Sequence, residues 1–431
     1  MSYSPRLLSL LQGIGAAEGD RLTVSSDGRE LSGVLIPHNE FSHPDALVLK
    51  MKSGYNVGVL VTPSTNVTVA VKGEVRERVP RPLSNGKGLP QVAVLSTGGT
   101  IASYVDYRTG AVHPALSAGD LLATVPEIAD ICDVRAEAVY SIFSENMTVE
   151  NWQQLAGVAA DRLNSGVEGV IVPHGTDTMS YTAAALSFML GDIPRPVVVV
   201  GAQRSSDRPS SDAYTNLLSA ARFITASDAA EVLVLMHETS SDISAAVHRA
   251  TKVRKMHTSR RDAFQSINAP PVARMDFGGS IDYLAPYRRK SDVKVVPRLE
   301  MEKDVSLVQF YPGMSPSVFE SILSKSRGMV IAGSGLGHVS SELIGPIRRA
   351  VAGGTVVVMT SQCLHGSVNL NVYATGRDLL SAGVVPGGDM LPETAYVKLM
   401  WVLGQTNDAE EARKMMAADL RGEITDRRAM Q

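Results

Sequence analysis

The sequence predicts an α/β protein: two parallel-sheet domains preceded by a small N-terminal β-barrel. Three observations predict it. Short Val- and Leu-rich segments separated by turn residues fill the first part of the chain. From Val92 onward, continuous apolar runs alternate with helical stretches. After a polar connection near residues 291–303, that alternation restarts.

The N-terminal unit spans residues 1–75. Its opening stretch, one early arginine and a short apolar run interrupted by Gln12, is read as a short helix and not as a leader or a membrane span. RLTVSS, LSGVLIP, ALVLKMKS, NVGVLV and VTVAVKG follow as strands, broken by Gly, Pro, Asn and Asp. Residues 76–91, rich in Pro, Gly and charge, read as a linker.

The next unit covers residues 92–290. VAVLS, GVIVP, PVVVVG and EVLVLM are apolar throughout, as strands covered on both faces are. Between them Trp152, Leu155, Ala156, Ala159 and Leu163 fall at helical spacing, with Thr148 as N-cap. Residues 304–406 form the second α/β unit through SLVQFYP, GMVIAG and GTVVVMTS. Residues 407–431 read as a charged helical tail on the surface.

Composition excludes several classes. The 431 residues carry a formal net charge of −3 with pI near 6.3, which gives no broad basic surface for nucleic acid. Only 2 cysteines are present, Cys132 and Cys363, so a disulfide scaffold is excluded and a cytoplasmic location fits. Cys363 reads as a small core residue and His174 as a loop histidine with a structural hydrogen bond. No His/Cys/Asp/Glu pattern has metal-ligand spacing, so no metal is expected in this chain.

Two loops carry the chemistry. A buried strand runs into TGGTIAS at Thr97–Ser103, and another runs into HGTDT at His174–Thr178. In open α/β sheets, ligands bind outside the carboxyl ends of strands. Each loop alone also has a plain reading: a glycine turn for the first, a helix N-cap at Thr176 and Asp177 for the second.

Together, and in this order, TGGTIAS, SIFSENM, HGTDT, GAQRSSDRPSSDAYTNLLSA and RKMHTSRRDAFQS resemble the L-asparaginase family from residue 92 to 405. The resemblance implies an amidohydrolase of two asparaginase-like domains. It places Thr100 at the first nucleophile position and matches Thr176, Asp177 and Lys255 to the second hydroxyl–carboxylate–amine set. Counting back from Phe264 selects Lys255 over Lys252. Gly99, Ser144, Glu145 and Gly175 match substrate-binding positions, with backbone N–H groups of Gly98, Gly99 and Gly175 as oxyanion donors. The family has a glutamine where this chain has Glu145. It also has an activating tyrosine on the mobile lid after the first loop, whose place here is open among Tyr104, Tyr107 and His113. Either Thr100 or Thr176 can be the attacking group.

GDRLTVSSDGRELSGVLIP in the N-terminal unit and PETAYVKLMWVLG at Pro392–Gly404 extend the resemblance to the D-subunit family of archaeal glutamyl-tRNA(Gln) amidotransferases. That resemblance implies a glutaminase or asparaginase working as a homodimer within a heterotetramer. The partner E-subunit would bind ATP and Mg2+ and handle Glu-tRNA(Gln). Two other readings stand beside it: a free cytoplasmic L-asparaginase with an accessory barrel, and a catalytically inert binding protein on the same fold.

Overall fold

The computed structural model describes residues 3–26, 28–36, 38, 43–51, 56–73, 88–98, 103–105, 112–114, 125–204 and 211–425. The chain opens with helix α1 (Pro5–Gly13), begun by proline and capped by the Ser4 side chain accepting from the Leu7 N–H. Strands β1 (Arg21–Ser26), β2 (Arg29–Leu35), β3 (Ala46–Met51), β4 (Asn56–Leu60) and β5 (Asn66–Val71) pair antiparallel in the order β4-β3-β2-β1-β5. Alternate residues Leu22 and Val24 on β1, Leu47 and Leu49 on β3, and Val67 on β5 point to one core, which Leu7 and Leu11 of α1 close. The β-rich N-terminal unit and its leading helix are therefore as expected.

The first α/β unit begins with β6 (Gln91–Ser96), followed by a small hairpin of β7 (Ser103–Val105) and β8 (Val112–Pro114). β9 (Asp133–Ala138), α2 (Val149–Asn164), β10 (Gly169–Pro173), α3 (Met179–Leu190), β11 (Val197–Val200), α4 (Ala213–Ala226) and β12 (Val232–His237) continue the alternation. A reciprocal capping box between Thr148 and Asn151 starts α2, whose Trp152, Leu155, Ala156, Ala159 and Leu163 are buried as the spacing requires. Antiparallel β13 (Ser244–Arg249) follows. Next come a separate two-stranded ribbon, β14 (Val253–Lys255) and β15 (Phe264–Ser266), and then β16 (Ala273–Asp276) and β17 (Ile281–Tyr283).

The main sheet has the order β17-β16-β13-β12-β11-β10-β6-β9. From β9 to β12 it is parallel. Consecutive residues face opposite cores: Ala93 and Leu95 join one cluster, Val92 and Val94 the other. Both faces are covered, which is why these strands read as unbroken apolar runs.

The second α/β unit is β18 (Val305–Gln309), α5 (Pro316–Leu323), β19 (Gly328–Gly333), α6 (Ser341–Ala352), β20 (Val356–Ser361), α7 (Ala374–Ser381), β21 (Val385–Pro386), α8 (Pro392–Gln405) and α9 (Ala409–Ala417). Its sheet is parallel in the order β18-β19-β20-β21. Helix α8 is apolar nearly all round because it lies between the two units. Its Leu399, Trp401 and Val402 share one cluster with Ala183 and Phe188 of α3 and with Val330 of β19. Trp401 stacks on Phe188 at 6.0 Å between ring centroids.

Two expectations change. The tail as described, residues 408–425, is not a surface appendage: Ala412 and Met416 are buried, and Glu423, at 0% exposure, pairs with the equally buried Lys398 of α8 at 2.6 Å. Charge misled the reading, because an acid that neutralises a buried lysine belongs inside. Cys363 is exposed, since it lies in the loop beyond the end of β20, while Cys132 is the buried one. Among the described residues no helix is long and apolar enough to cross a membrane.

Candidate active site

The parallel part of the main sheet changes winding direction at β6. The chain steps from β6 to β9 on one side and then to β10 on the other. By that topology the loops leaving β6 and β10 start from the switch point of the sheet, the place at which α/β sheets bind ligands. Those are the two threonine loops.

The first loop starts with Thr97, buried, its hydroxyl donating to the Pro173 carbonyl at 2.9 Å across the two strands. Gly98 has φ of +98°, and a Cβ on it would stand 2.6 Å from the Ile142 carbonyl oxygen. Only glycine lets this loop lie against the 141–147 segment. Gly99, Thr100 and Tyr107 lie outside the described residues. Tyr104 and His113 face each other as backbone partners in the β7–β8 ladder, and their side chains lie outside the described residues.

The second loop leaves β10 at His174. Burial pushes the His174 pKa down to about 4, so the ring is neutral and its Nδ1–H donates to the Gly175 carbonyl at 2.6 Å. The structural reading of this histidine fits what it does. Gly175 is packed so closely on Ser144 that an added Cβ would lie 2.7 Å from the serine Cβ. Thr178 is the N-cap of α3 by position, yet its side chain makes no capping bond. Its hydroxyl donates instead to the Ser144 carbonyl at 2.6 Å. The two loops thus close on the SIFSENM segment from both sides. Ser144 is buried, and Glu145 is exposed beside it in the single 3-10 turn Ser144–Asn146.

Thr176 and Asp177 do not cap the helix. Lys255, at the end of β14, sends its Nζ to Thr176 Oγ1 at 2.9 Å and to Asp177 Oδ1 at 2.7 Å. Its side chain is 12% exposed and that of Asp177 is 70% exposed. The amine is therefore sheltered on one side and fixed by a carboxylate that remains open to solvent. Lys252 points elsewhere, into a buried pair with Asp389 at 2.8 Å. Thr176, Asp177, Lys255, Gly175 and Ser144 thus converge at one end of the sheet. Among the described residues no group of three or more His, Cys, Asp or Glu is placed to hold a metal.

Sequence reasoning missed a polar chain beside this site. Asp212, fully buried, accepts from the Gln203 and Arg204 N–H groups. Asn216 contacts Asp212 and receives the His237 Nδ1–H at 2.7 Å. His237 Nε2 lies 3.1 Å from Asp242, which also binds Arg261 at 2.6 Å. Burial lowers the His237 pKa against the opposing pull of Asp242. This chain ties the tip of the Lys255 ribbon to the ends of β11 and β12. Gln203, Arg204, Asp212, Asn216 and Arg261 lie within the two long segments of the resemblance, but His237 and Asp242, which join those segments, lie between them and carry no motif.

Comparison with known proteins places this geometry. Residues 91–288 match the family "Asparaginase, N-terminal", residues 304–416 the "Glutaminase/Asparaginase C-terminal domain", and residues 16–70 the "GatD N-terminal domain". The glutamyl-tRNA(Gln) amidotransferase D-subunit of Pyrococcus furiosus is 51% identical over 420 residues, covering 96% of each chain. The chain belongs to the D-subunit family of glutamyl-tRNA(Gln) amidotransferases. The D-subunit of Methanothermobacter thermautotrophicus is 47% identical over 99% of this chain and 98% of its own. Among solved structures, the thermostable L-asparaginase from Thermococcus kodakarensis superposes with a TM-score of 0.70 at 33% identity, covering 78% of this chain and all (100%) of its own. L-asparaginase I from Vibrio cholerae gives 0.69 at 30% identity, covering 78% and 99%. The D-subunit family therefore sets an asparaginase-type unit behind an added N-terminal domain, as in this chain.

Proposed function

We propose that this chain releases ammonia from glutamine or asparagine, and that a partner protein uses it to convert Glu-tRNA(Gln) to Gln-tRNA(Gln). The observation that carries the reading is the Lys255 amine bound to both Thr176 and Asp177 at the switch point of the sheet. A threonine hydroxyl is a weak nucleophile and needs a base. In its neutral form the Lys255 amine takes the proton of a threonine hydroxyl, directly or through Thr176, while Asp177 orients it. The threonine oxygen, of Thr100 or Thr176, attacks the side-chain amide carbon. Backbone N–H groups of Gly98, Gly99 and Gly175 serve the developing oxyanion. As the C–N bond breaks, the amine returns the proton to the leaving nitrogen and ammonia departs. Water then cleaves the acyl-threonine ester to the free acid.

Ser144 and Glu145 hold the α-carboxylate and α-amino group of the substrate. The Glu145 carboxylate, exposed beside Ser144, suits an ammonium. Tyr104, Tyr107 and His113 are candidates for the lid that completes the site. The partner, by family the E-subunit, supplies ATP and Mg2+ chemistry and most of the tRNA contact. This assigns the chain to the cytoplasm, as a homodimer within a heterotetramer.

The test measures ammonia release from glutamine and from asparagine, with and without the partner, ATP, Mg2+ and charged tRNA. Stimulation of glutamine turnover by the complex supports the reading. Equal turnover by the isolated chain and the complex sinks the coupling. The close superposition on free L-asparaginases favours one second reading, an independent asparaginase. High asparaginase activity of the chain alone, indifferent to the partner, selects it.

A further inference from the structure

The candidate base stands on an element outside the ladder of the main sheet. Among the described residues β14 and β15 pair as strands only with each other, and the first unit reaches them through side chains, at the tip by the Arg261–Asp242 pair and at β15 by the Ser266 hydroxyl 2.8 Å from His248 Nδ1 of β13. The start of the ribbon's stem is anchored from the other side, by the second α/β unit and the segment that follows it. Lys252 Nζ meets Asp389 Oδ2 at 2.8 Å, with both side chains 1% exposed. Asp389 Oδ1 accepts from the Thr425 N–H, and the Asp389 carbonyl accepts from Asn268, just past β15. The Thr251 hydroxyl donates to the Arg421 carbonyl, and the Thr394 hydroxyl of α8 donates to the Thr251 carbonyl. Arg254, adjacent to Lys255, pairs with Glu393 at the start of α8 at 3.6 Å.

We infer that Asp389 is a positioning residue for Lys255, and that the second α/β unit sets the amine's place at Thr176 through the buried Lys252–Asp389 pair. This rests on Lys255 being the working amine. A buried ion pair is a weak source of net stability, because both charges lose their hydration, but it fixes registry strongly. Lys252 immediately precedes β14, three residues before Lys255. A shift of its anchor therefore reaches Nζ with little to absorb it. Displacements near 1 Å at a reacting group cost about a hundredfold in rate.

The test uses Asp389→Asn in the assembled protein, assayed where the variant is fully folded. The expected result is a fall in kcat for ammonia release of at least about tenfold with KM changed by less than about twofold. Independently, reductive methylation of Lys255, followed by peptide mass spectrometry, proceeds faster in the variant because the amine has left its partners. A lower melting temperature with parental kcat and parental labelling overturns the inference, since that is a structural role alone. If Asp389→Asn does not fold, Thr251→Val, which keeps the side-chain shape, decides by the same two readouts. Lys255→Ala with parental turnover would overturn the reading of the site instead; the labelling rate would still judge the anchor.

Discussion

At the level of single residues, the proposed role of the Lys255 contact with Thr176 and Asp177 predicts kinetic effects. Thr176→Val removes the hydroxyl without changing shape, and Lys255→Ala removes the amine. Each is expected to lower kcat about 10²–10⁴-fold with modest effect on KM, read as ammonia release under saturating glutamine. A second prediction concerns pH. Burial holds the pKa of both His174 and His248 at about 4, against an ordinary 6.5. A depressed value in the folded state means that the unfolded chain binds the proton first. The stability from each neutral ring is complete above pH 6.5 and is lost as pH falls toward 4, in total of order 3 kcal/mol per ring. Melting temperature should fall over that window, and His248→Leu should flatten the fall; an unchanged slope would refute the assignment. Lys255 was legible through the family resemblance, in which its spacing to Phe264 matches it in place of Lys252. The destination of Lys252 was not, since its partner Asp389 is 137 residues away and lysine is rarely fully buried.

At the level of elements, the glycines of the two loops set how near three chain segments can come. Gly175→Ala would place a methyl group 2.7 Å from Ser144 Cβ. The segment proposed to hold the substrate's α-groups must then retreat. A rise in KM of about tenfold or more is expected, with secondary structure by circular dichroism unchanged. An unaltered KM would separate Ser144 from substrate binding. The parallel strands were readable because burial on two faces leaves a continuous apolar run, and α2 because its apolar spacing and cap agree. The antiparallel extension was not, because β13 has only Ala245, Ala246 and Val247 between polar residues, and β16 and β17 are 4 and 3 residues long with polar residues among them. The ribbon carries Arg254 and Lys255 in a strand of three residues, too short for a period of two to register.

At the level of the whole molecule, α8 is the shared wall of the two α/β units, and the segment after α9 returns to neutralise it. Ending the chain at Ala418 removes Glu423 and leaves Lys398 buried without its carboxylate, although the Met416 and Ala418 carbonyls still accept from it. The expected cost is about 3–5 kcal/mol, measured by denaturant unfolding. Stability equal to the full chain would mean that Lys398 reaches solvent or protonates differently. The division into units was visible from the polar connection, whereas their mutual dependence was hidden in charges assigned to the surface. The Lys252–Asp389 contact gives that dependence a practical meaning for recombination. A hybrid that grafts a foreign second unit onto residues 1–303 would inherit both threonine loops, the carboxylate and the amine. It would still be a poor catalyst until the graft also carried an acid at the position of Asp389, so parts exchanged between members of this fold have to be cut with their anchors attached.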